Sequence, residues 1–382
     1  MSATTLETLS VRDFRNLAHV ELDLPREGAV VVGENGHGKT NLLEAMYYLQ
    51  LLRSARGARD AELVRFGGEG FHVAARGQFP GAREVRVGFV KTGARKRVTH
   101  DGAETRRLTD ALGGVPSVLV SPRDAGIVAG APAERRRFLD IALALSSPTY
   151  LSALAAYRGA LGRRNAALRD RARYSARDAV ANVQAWEPAL ATHGAMLRSA
   201  RRAWVETHAA EYTRLVSAIG ERPGSAMEYV VKVGGSAGSQ RASGALADTA
   251  SVLVAELEAT RERDLRTGVT HAGPHRDDLT LTLMQRDLRR FGSAGQQRSA
   301  ALALRLLELA TLKERVGGAP LLLLDDPFAE LDERRAACVL ALLGEAGIQQ
   351  VVLAVPRASE IPADFTRLAR HAITDGMLTA AA

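Results

Sequence analysis

Residues 33 to 40 read Gly33-Glu34-Asn35-Gly36-His37-Gly38-Lys39-Thr40, a complete GxxxxGKT loop. Ahead of it, Gly28-Ala29-Val30-Val31-Val32 is a short β-branched run of the kind a parallel strand buried on both faces requires. After it, Leu42, Leu43, Met46, Tyr47 and Leu49 recur at helical spacing, which starts a helix near Thr40. Strand, glycine loop and helix N-terminus together aim backbone N–H groups and a positive dipole end at one point. Glycine is needed because such a loop wraps closely, in backbone shapes that a Cβ obstructs. The pattern predicts a nucleoside triphosphate held with Mg2+. Lys39 is expected to reach the β- and γ-phosphates, and the Thr40 hydroxyl to ligate the metal. A chance glycine turn is the bland alternative, and it explains neither flank.

The 382 residues suffice for two domains, or for one domain with a large insertion. A hydrophobic share of 46% with 25% charged residues suits a globular protein able to bury a core. Cys338 is the sole cysteine, so no intrachain disulfide can form, which suits a reducing cytosol. The first residues contain no apolar stretch resembling a signal peptide, and no window approaches 18 apolar residues. The expectation is a soluble, cytoplasmic chain with no membrane partner. A net charge of +8 points to an anionic partner, nucleic acid first, although the arginine excess also follows from a GC-rich genome. Aromatic residues make up only 5%, which favours duplex backbone contacts over stacking on single strands.

Val85, Val87 and Phe89 alternate with Arg86 and Gly88 as a half-buried strand does, and Thr92-Gly93-Ala94 marks a turn. Val118-Leu119-Val120 is another apolar run, stopped by Ser121-Pro122. From about Glu134 to Gly220 the chain turns rich in alanine, leucine and arginine. Leu151, Leu154, Tyr157 and Leu161 give it helical periodicity. A strand is expected over 227–233 and an exposed loop over 234–244. From Thr270 the order reads strand, turn, helix, strand, helix, strand. The predicted organisation is therefore α/β: head residues 1–122, an inserted mainly helical arm over 123–262, and head residues 263–382.

Two more motifs lie in the final third. Leu321-Leu322-Leu323-Leu324-Asp325-Asp326 is an apolar strand ending in two acids, the Walker B pattern, whose carboxylates face the ligand crevice of an open α/β sheet. Asp325 is expected to hold Mg2+, and Asp326 to act as the base or positioner for the attacking water. Ser293-Ala294-Gly295-Gln296-Gln297-Arg298 opens an amphipathic helix and makes a second anion site by the same amide argument. Alone it would read as a plain helix cap. Glu330-Leu331-Asp332 follows Walker B, and that order makes it diagnostic.

Phosphate loop, long insertion, Ser-x-Gly-Gln-Gln, Walker B and a Leu-Asp loop resemble, in that order, an ABC-type ATPase head. Several strings resemble one family in particular, the bacterial RecF recombination-repair proteins. They are Phe14-Arg15-Asn16, Gly33 to Asn41 with Leu42-Leu43-Glu44-Ala45, and Glu134 to Asp140. Arg163-Arg164-Asn165, Gly273-Pro274-His275-Arg276-Asp277-Asp278, Gly295 to Arg298 and Leu324-Asp325-Asp326 continue the match over nearly the whole chain. The resemblance implies an ABC-type head with an inserted helical lobe, a P-loop sheet with flanking helices, working as an ATP-dependent dimer on DNA. It implies an ATP site built from Gly33, Glu34, Asn35, Gly36, His37, Gly38, Lys39, Thr40 and Asn41, faced by Ser293, Gly295, Gln296 and Gln297 of a second copy. Asp332 would lie at the dimer seam. The implied partners are RecR and, indirectly, RecO and RecA.

The chain departs from that pattern after the strand Val351-Val352-Leu353-Ala354-Val355-Pro356. There ABC heads carry a histidine, and RecF-like chains a hydroxyl, near the γ-phosphate. Val355 and Pro356 offer no donor, so sensing is weakened or supplied by Arg357. Asp326 is one methylene shorter than the glutamate of transporter heads, and slow hydrolysis is expected. Arg123 stands where an acid is expected, and Pro327 and Ala329 also differ from the usual residues.

The arm carries many arginines, among them Arg135, Arg136, Arg163 and Arg164. These read either as a duplex phosphate track or as solvated and internally paired groups, with Glu134 and Asp140 as partners. Arg53 and Arg56 are placed to reach phosphates or simply the surface. His275, Asp277 and Asp278 resemble metal ligands, yet no cysteine or second spaced histidine joins them, which favours a structural role. Transporter heads space Walker A and Ser-x-Gly more closely, and SMC heads need a long heptad insertion. An SMC-like architectural head is the alternative function.

Overall fold

The computed structural model describes residues 4–232, 249–328 and 331–380. The chain divides into two compact units. The first comprises Met1–Asp124, Ala218–Gly220 and Leu302–Ala382; the second comprises Ala125–Ser217 and Glu221–Ala301.

A six-stranded sheet forms the first unit's centre, in the order Met377–Ala380, Ala369–Thr374, Gly28–Val32, Val351–Val355, Leu321–Asp325, Ser117–Val120. Neighbours are parallel except the outermost hairpin, Ala369–Thr374 with Met377–Ala380. The middle strands show no polar alternation because both faces are covered: Val30, Leu321, Leu323, Val352 and Leu353 are fully buried. Side-chain amides extend the pairing. Gln350 accepts from the Leu6 N–H at 2.8 Å and donates to the Leu6 carbonyl, also at 2.8 Å.

A second, antiparallel sheet orders Leu17–Asp23, Thr5–Phe14, Gly70–Phe79, Ala82–Val90, Arg95–His100 and Ala103–Glu104. Here alternation is clean. Leu9, Val11, Val73, Val85, Val87 and Val98 point inward, while Ser10, Arg12 and Arg86 stay outside. The helix Lys39–Leu51 is buried along almost its whole length, so its polar residues need internal partners. Tyr48 meets Phe14 and Phe71 edge-on at 6.0 and 5.3 Å. Gln50 accepts from the Ser117 N–H at 2.6 Å. Glu44 accepts from Arg56 at 2.8 Å, Arg15 at 3.1 Å and Ser54 at 2.5 Å. Burial alone would raise its pKa, but these donors hold it below the usual carboxylate value.

The second unit contains the helices Pro132–Ser146, Pro148–Arg169, Ala176–Gln184 and Ala250–Thr267, with nearly all of Glu187–Ala218. It also holds a three-stranded sheet, Arg286–Asp287, Asp278–Leu283 and Ser225–Val230. Segment 263–301, expected in the head, packs here. The strand Asp278–Leu283 pairs along its full length with Ser225–Val230, and Asp264 and Asp277 neutralise buried arginines of this unit. The loop expected at 234–244 lies outside the described residues, as do position 233 of the expected strand, Ala329 and Glu330. Among the described residues no helix is long and apolar enough to cross a membrane.

Three arginines organise the second unit's core. Arg164, fully buried, donates to Asp264 at 2.7 Å, Glu187 at 3.0 Å and Thr270 at 2.9 Å. Arg198, also fully buried, forks onto Glu256 at 2.9 Å and reaches Asp277 at 2.9 Å. Arg201 donates to Asp140 at 2.7 Å and to the Pro274 carbonyl at 2.8 Å. Each guanidinium has lost its hydration and is stable only with its carboxylates in place. Asp264→Ala is therefore expected to cost about 3–5 kcal/mol in urea unfolding, the loss for stranding a buried charge. A cost under about 1 kcal/mol, the range of exposed pairs, would contradict this reading.

Candidate functional site

The phosphate-loop pattern lies between the strand Gly28–Val32 and the helix Lys39–Leu51. The Gly33 N–H donates to the Val355 carbonyl at 3.3 Å, which fixes the loop's entry to the neighbouring strand. Gly38 caps the helix in the left-handed region at φ 116°, and a Cβ there would sit 3.0 Å from Asn16 Oδ1. The Lys39 ammonium curls back over the loop and donates to the carbonyls of Gly33 and of Glu34, the latter at 2.9 Å. Glu34, Asn35 and Gly36 are exposed, while Lys39 is buried.

Walker B meets this loop. Thr40 Oγ1 donates to Asp325 Oδ1 at 3.0 Å, bridging 285 positions of sequence. Burial lowers the Lys39 pKa, with Asp325 and Asp326 acting against it. Burial also raises Asp325, and neighbouring Asp326 adds to that while the Thr40 bond opposes it. Asp326 follows at a left-handed φ of 47°, its N–H bonded to the Ala354 carbonyl at 2.9 Å. At the end of the adjacent strand, Arg357 is exposed and donates to Glu360 at 2.6 Å. A hydroxyl and a carboxylate oxygen side by side suit Mg2+, which takes hard oxygen ligands.

Ser293 is an exposed N-cap of the 23-residue helix Ala294–Val316. Its Oγ accepts from the Gln296 N–H at 3.2 Å while Gln296 Oε1 accepts from the Ser293 N–H at 2.9 Å, a reciprocal capping box. Gly295 is half-buried, and Gln297 donates to the Leu288 carbonyl at 2.9 Å. Asp332 caps the helix Glu333–Glu345, accepting from the Arg335 N–H at 2.8 Å, and is largely exposed.

The arginine candidates need correction. Arg164 is fully buried on Asp264 and Glu187, and Arg135 is buried with a two-point bond to Asp278 at 2.9 and 3.1 Å. Neither can line a phosphate track. Both serve the second unit's charge balance. Arg136 is half-buried and donates to the Asp277 carbonyl at 2.8 Å. Arg163 is exposed and lies 5.0 Å from the Trp186 ring centroid, a cation–π contact. Arg56 joins Glu44 and Asn41, and Asn41 also donates to Asn16 at 2.8 Å. His275 lies 2.6 Å from the Tyr157 hydroxyl, and burial pushes it down to about 4, so it is neutral at pH 7. Asp277 accepts from Arg198 and Tyr229. No cluster of metal-ligating side chains occurs among the described residues.

Sequence reading assigned no role to Asn16 or to the turn at Asp375-Gly376, both of which bind the loop. The Asp-Gly pair between two apolar stretches was a hairpin signal, but nothing local tells what the turn touches.

Known proteins supply the family. "DNA replication and repair protein RecF" from Anaeromyxobacter dehalogenans (strain 2CP-1 / ATCC BAA-258) is 40% identical over 378 residues, 98% of each chain. The chain belongs to the RecF family. The RecF protein of Myxococcus xanthus (strain DK1622) is 38% identical over 348 residues, covering 91% of this chain and 90% of that one. Among solved structures, the recombination mediator protein RecF-ATP in the RecFOR pathway superposes with a TM-score of 0.86. It is 28% identical, and the match spans 100% of this chain and 99% of that chain. An Smc head bound to the C-winged helix domain of ScpA gives 0.53 at 15% identity, covering 98% and 97%, a likeness of fold alone. No protein-family model matches. The fold is thus that of an ABC-type ATPase head with a mainly helical lobe, in the form RecF proteins take.

Burial holds the Asp325 carboxyl above its ordinary value. Because its folded-state pKa lies above the unfolded value, its ionisation opposes folding. That advantage of the protonated form is lost as pH rises through the folded-state value. Asp325→Asn is therefore expected to raise the melting temperature at pH 7 in metal-free buffer, with a smaller gain at pH 4. A lowered melting temperature at pH 7 would contradict it.

Proposed function

We propose that this chain is an ATP-dependent DNA-binding switch of replication and repair, cytoplasmic, in which ATP drives two copies together and slow hydrolysis releases them. The observation that carries it is the meeting of Thr40 with Asp325 at 3.0 Å, beside Lys39, while Ser293 stays exposed at a helix start. The RecF structure described with ATP supports ATP as the nucleotide.

Lys39, freed from the Gly33 and Glu34 carbonyls, would hold β- and γ-phosphate oxygens, with the loop from Gly33 to Asn41 wrapping the phosphates. Thr40 and Asp325 would hold Mg2+, which when bound neutralises charge on the phosphates as a Lewis acid. Asp326 would orient the attacking water and take its proton. Three features support slow turnover. Asp326 has a short side chain. Val355 and Pro356 carry no donor, and Arg357 is engaged by Glu360.

Ser293 and Gly295 would complete the site from the second copy, their helix N-terminus directed at the γ-phosphate. Gln296 and Gln297 keep that turn in shape through the Ser293 and Leu288 bonds. Asp332 would lie at the seam. ATP then joins the two copies, and hydrolysis removes the shared phosphate. Duplex or junction DNA is the polymer partner, consistent with the net charge of +8. RecR is the proposed protein partner, with RecO and RecA reached through it, as the RecFOR pathway named for the solved relative suggests.

Light scattering tests the switch. With ATP the 40.8 kDa chain is expected to double in mass, and with ADP or no nucleotide it should not. Gapped DNA should favour the dimer, while Lys39→Arg and Ser293→Arg proteins should stay single. ATP without effect on mass, or no ATP-dependent retention on DNA at modest salt, would overturn the proposal.

A further inference from the structure

Bonds within the phosphate loop run from Lys39 to the Gly33 and Glu34 carbonyls and from the His37 N–H to the Glu34 carbonyl at 3.4 Å. Gly38, at the helix N-cap, supplies no capping side chain, and Gly36 and Gly38 both take left-handed conformations that a free chain holds only briefly. Further restraint comes from two other turns of the first unit. The turn after the strand Thr5–Phe14 brings Asn16, which accepts from Asn41 at 2.8 Å and donates to the Gly36 carbonyl at 3.4 Å. The turn of the hairpin Ala369–Thr374 and Met377–Ala380 brings two consecutive N–H groups to one loop residue, His37. Asp375 N–H donates to His37 Nδ1 at 2.9 Å, and Gly376 N–H donates to the His37 carbonyl at 2.9 Å.

This clasp spans 338 residues and uses only acceptors of His37, so it consumes none of the loop's N–H groups. Asp375 and Gly376 take φ of 49° and 79°, both left-handed, which is what turns their N–H groups toward the loop. A Cβ on Gly376 would lie 2.2 Å from the Asn16 carbonyl oxygen, so the turn is wedged against the Asn16 turn with no slack. An acceptor at Nδ1 leaves the ring proton on Nε2. Nε2 faces the Glu34 carboxylate at 3.9 Å, and the Asp375 carboxylate lies 3.4 Å from Nδ1. Arg15, beside Asn16 on the first of these turns, is directed to Glu44 instead.

We infer that His37 is a positioning residue for nucleotide binding, through which the Asp375-Gly376 turn holds the phosphate loop in its binding shape. The inference rests on the ATP reading above and adds the restraint that preorganises that site. Preorganised donors gain affinity because their ordering cost is met before the ligand arrives. Removing the side-chain bond loses one hydrogen bond and loosens the loop, so ATP affinity falls about tenfold, or about 1.4 kcal/mol.

The experiment titrates the full chain with N-methylanthraniloyl-ATP and Mg2+, beside thermal melts. His37→Ala should weaken binding about tenfold while the melting temperature changes little. His37→Asn should bind within about twofold of the unsubstituted protein, because Asn Oδ1 sits where Nδ1 does and accepts the same N–H. Gly376→Ala, which alters no loop residue, should weaken binding as His37→Ala does, and it carries the test if His37→Ala does not fold. Unchanged affinity in both His37→Ala and Gly376→Ala would overturn the inference and leave the ATP reading standing. His37→Asn binding as weakly as His37→Ala would overturn it too. An unsubstituted protein that does not bind the probe would overturn the ATP reading, and the inference with it.

Discussion

Thr40 and Asp325 stand 285 residues apart in the chain and 3.0 Å apart in space. Nothing local brings them together. The strand Gly28–Val32 must lie parallel to Val351–Val355, and that strand parallel to Leu321–Asp325, before the loop and the two acids can share one edge of the sheet. The edge is the carboxyl end of the strands, where ligands of open α/β sheets bind. Each parallel pairing needs a long crossover, and this chain places its second unit within one of them. The Walker contact thus depends on the parallel order of the central strands.

Charge is managed in opposite ways in the two units. The first leaves charge partly unmet where it matters: burial lowers Lys39 and raises Asp325, so both groups gain from a polyphosphate and its metal. The second uses its arginines as internal struts. Arg164, Arg198 and Arg201 each meet carboxylates inside the unit, and Arg135 meets Asp278. These pairs withdraw acids along with the arginines, so the net positive charge, +8 for the chain, remains with the other charged residues.

The local motifs were legible because their physics is local. Glycines at fixed spacing, a β-branched run before them and four leucines ending in two aspartates suffice to place the phosphate loop and the Walker B strand. The capping box at Ser293 and Gln296 also lies within four residues. What stayed hidden is set by distant partners. Among the arginines of 135–164, a phosphate track and internal pairing could not be told apart, because Asp264 lies 100 residues from Arg164 and Asp278 lies 143 from Arg135. The division of the chain was misjudged at 263–301 for a related reason. The strand Asp278–Leu283 has its pairing partner, Ser225–Val230, on the far side of the helix Ala250–Thr267. The clasp of His37 by Asp375 joins residues near opposite ends of the sequence.

In the proposed switch, the loop, Lys39 and Asp325 would form one half of a nucleotide clamp, and Ser293 of a second copy would supply the other half. Mixing Lys39→Arg protein with Ser293→Arg protein and measuring ATP hydrolysis tests this most directly. A mixed pair contains one site with both Lys39 and Ser293 intact, so activity should reappear on mixing although each variant alone has none. No recovery on mixing, with both variants folded, would contradict it.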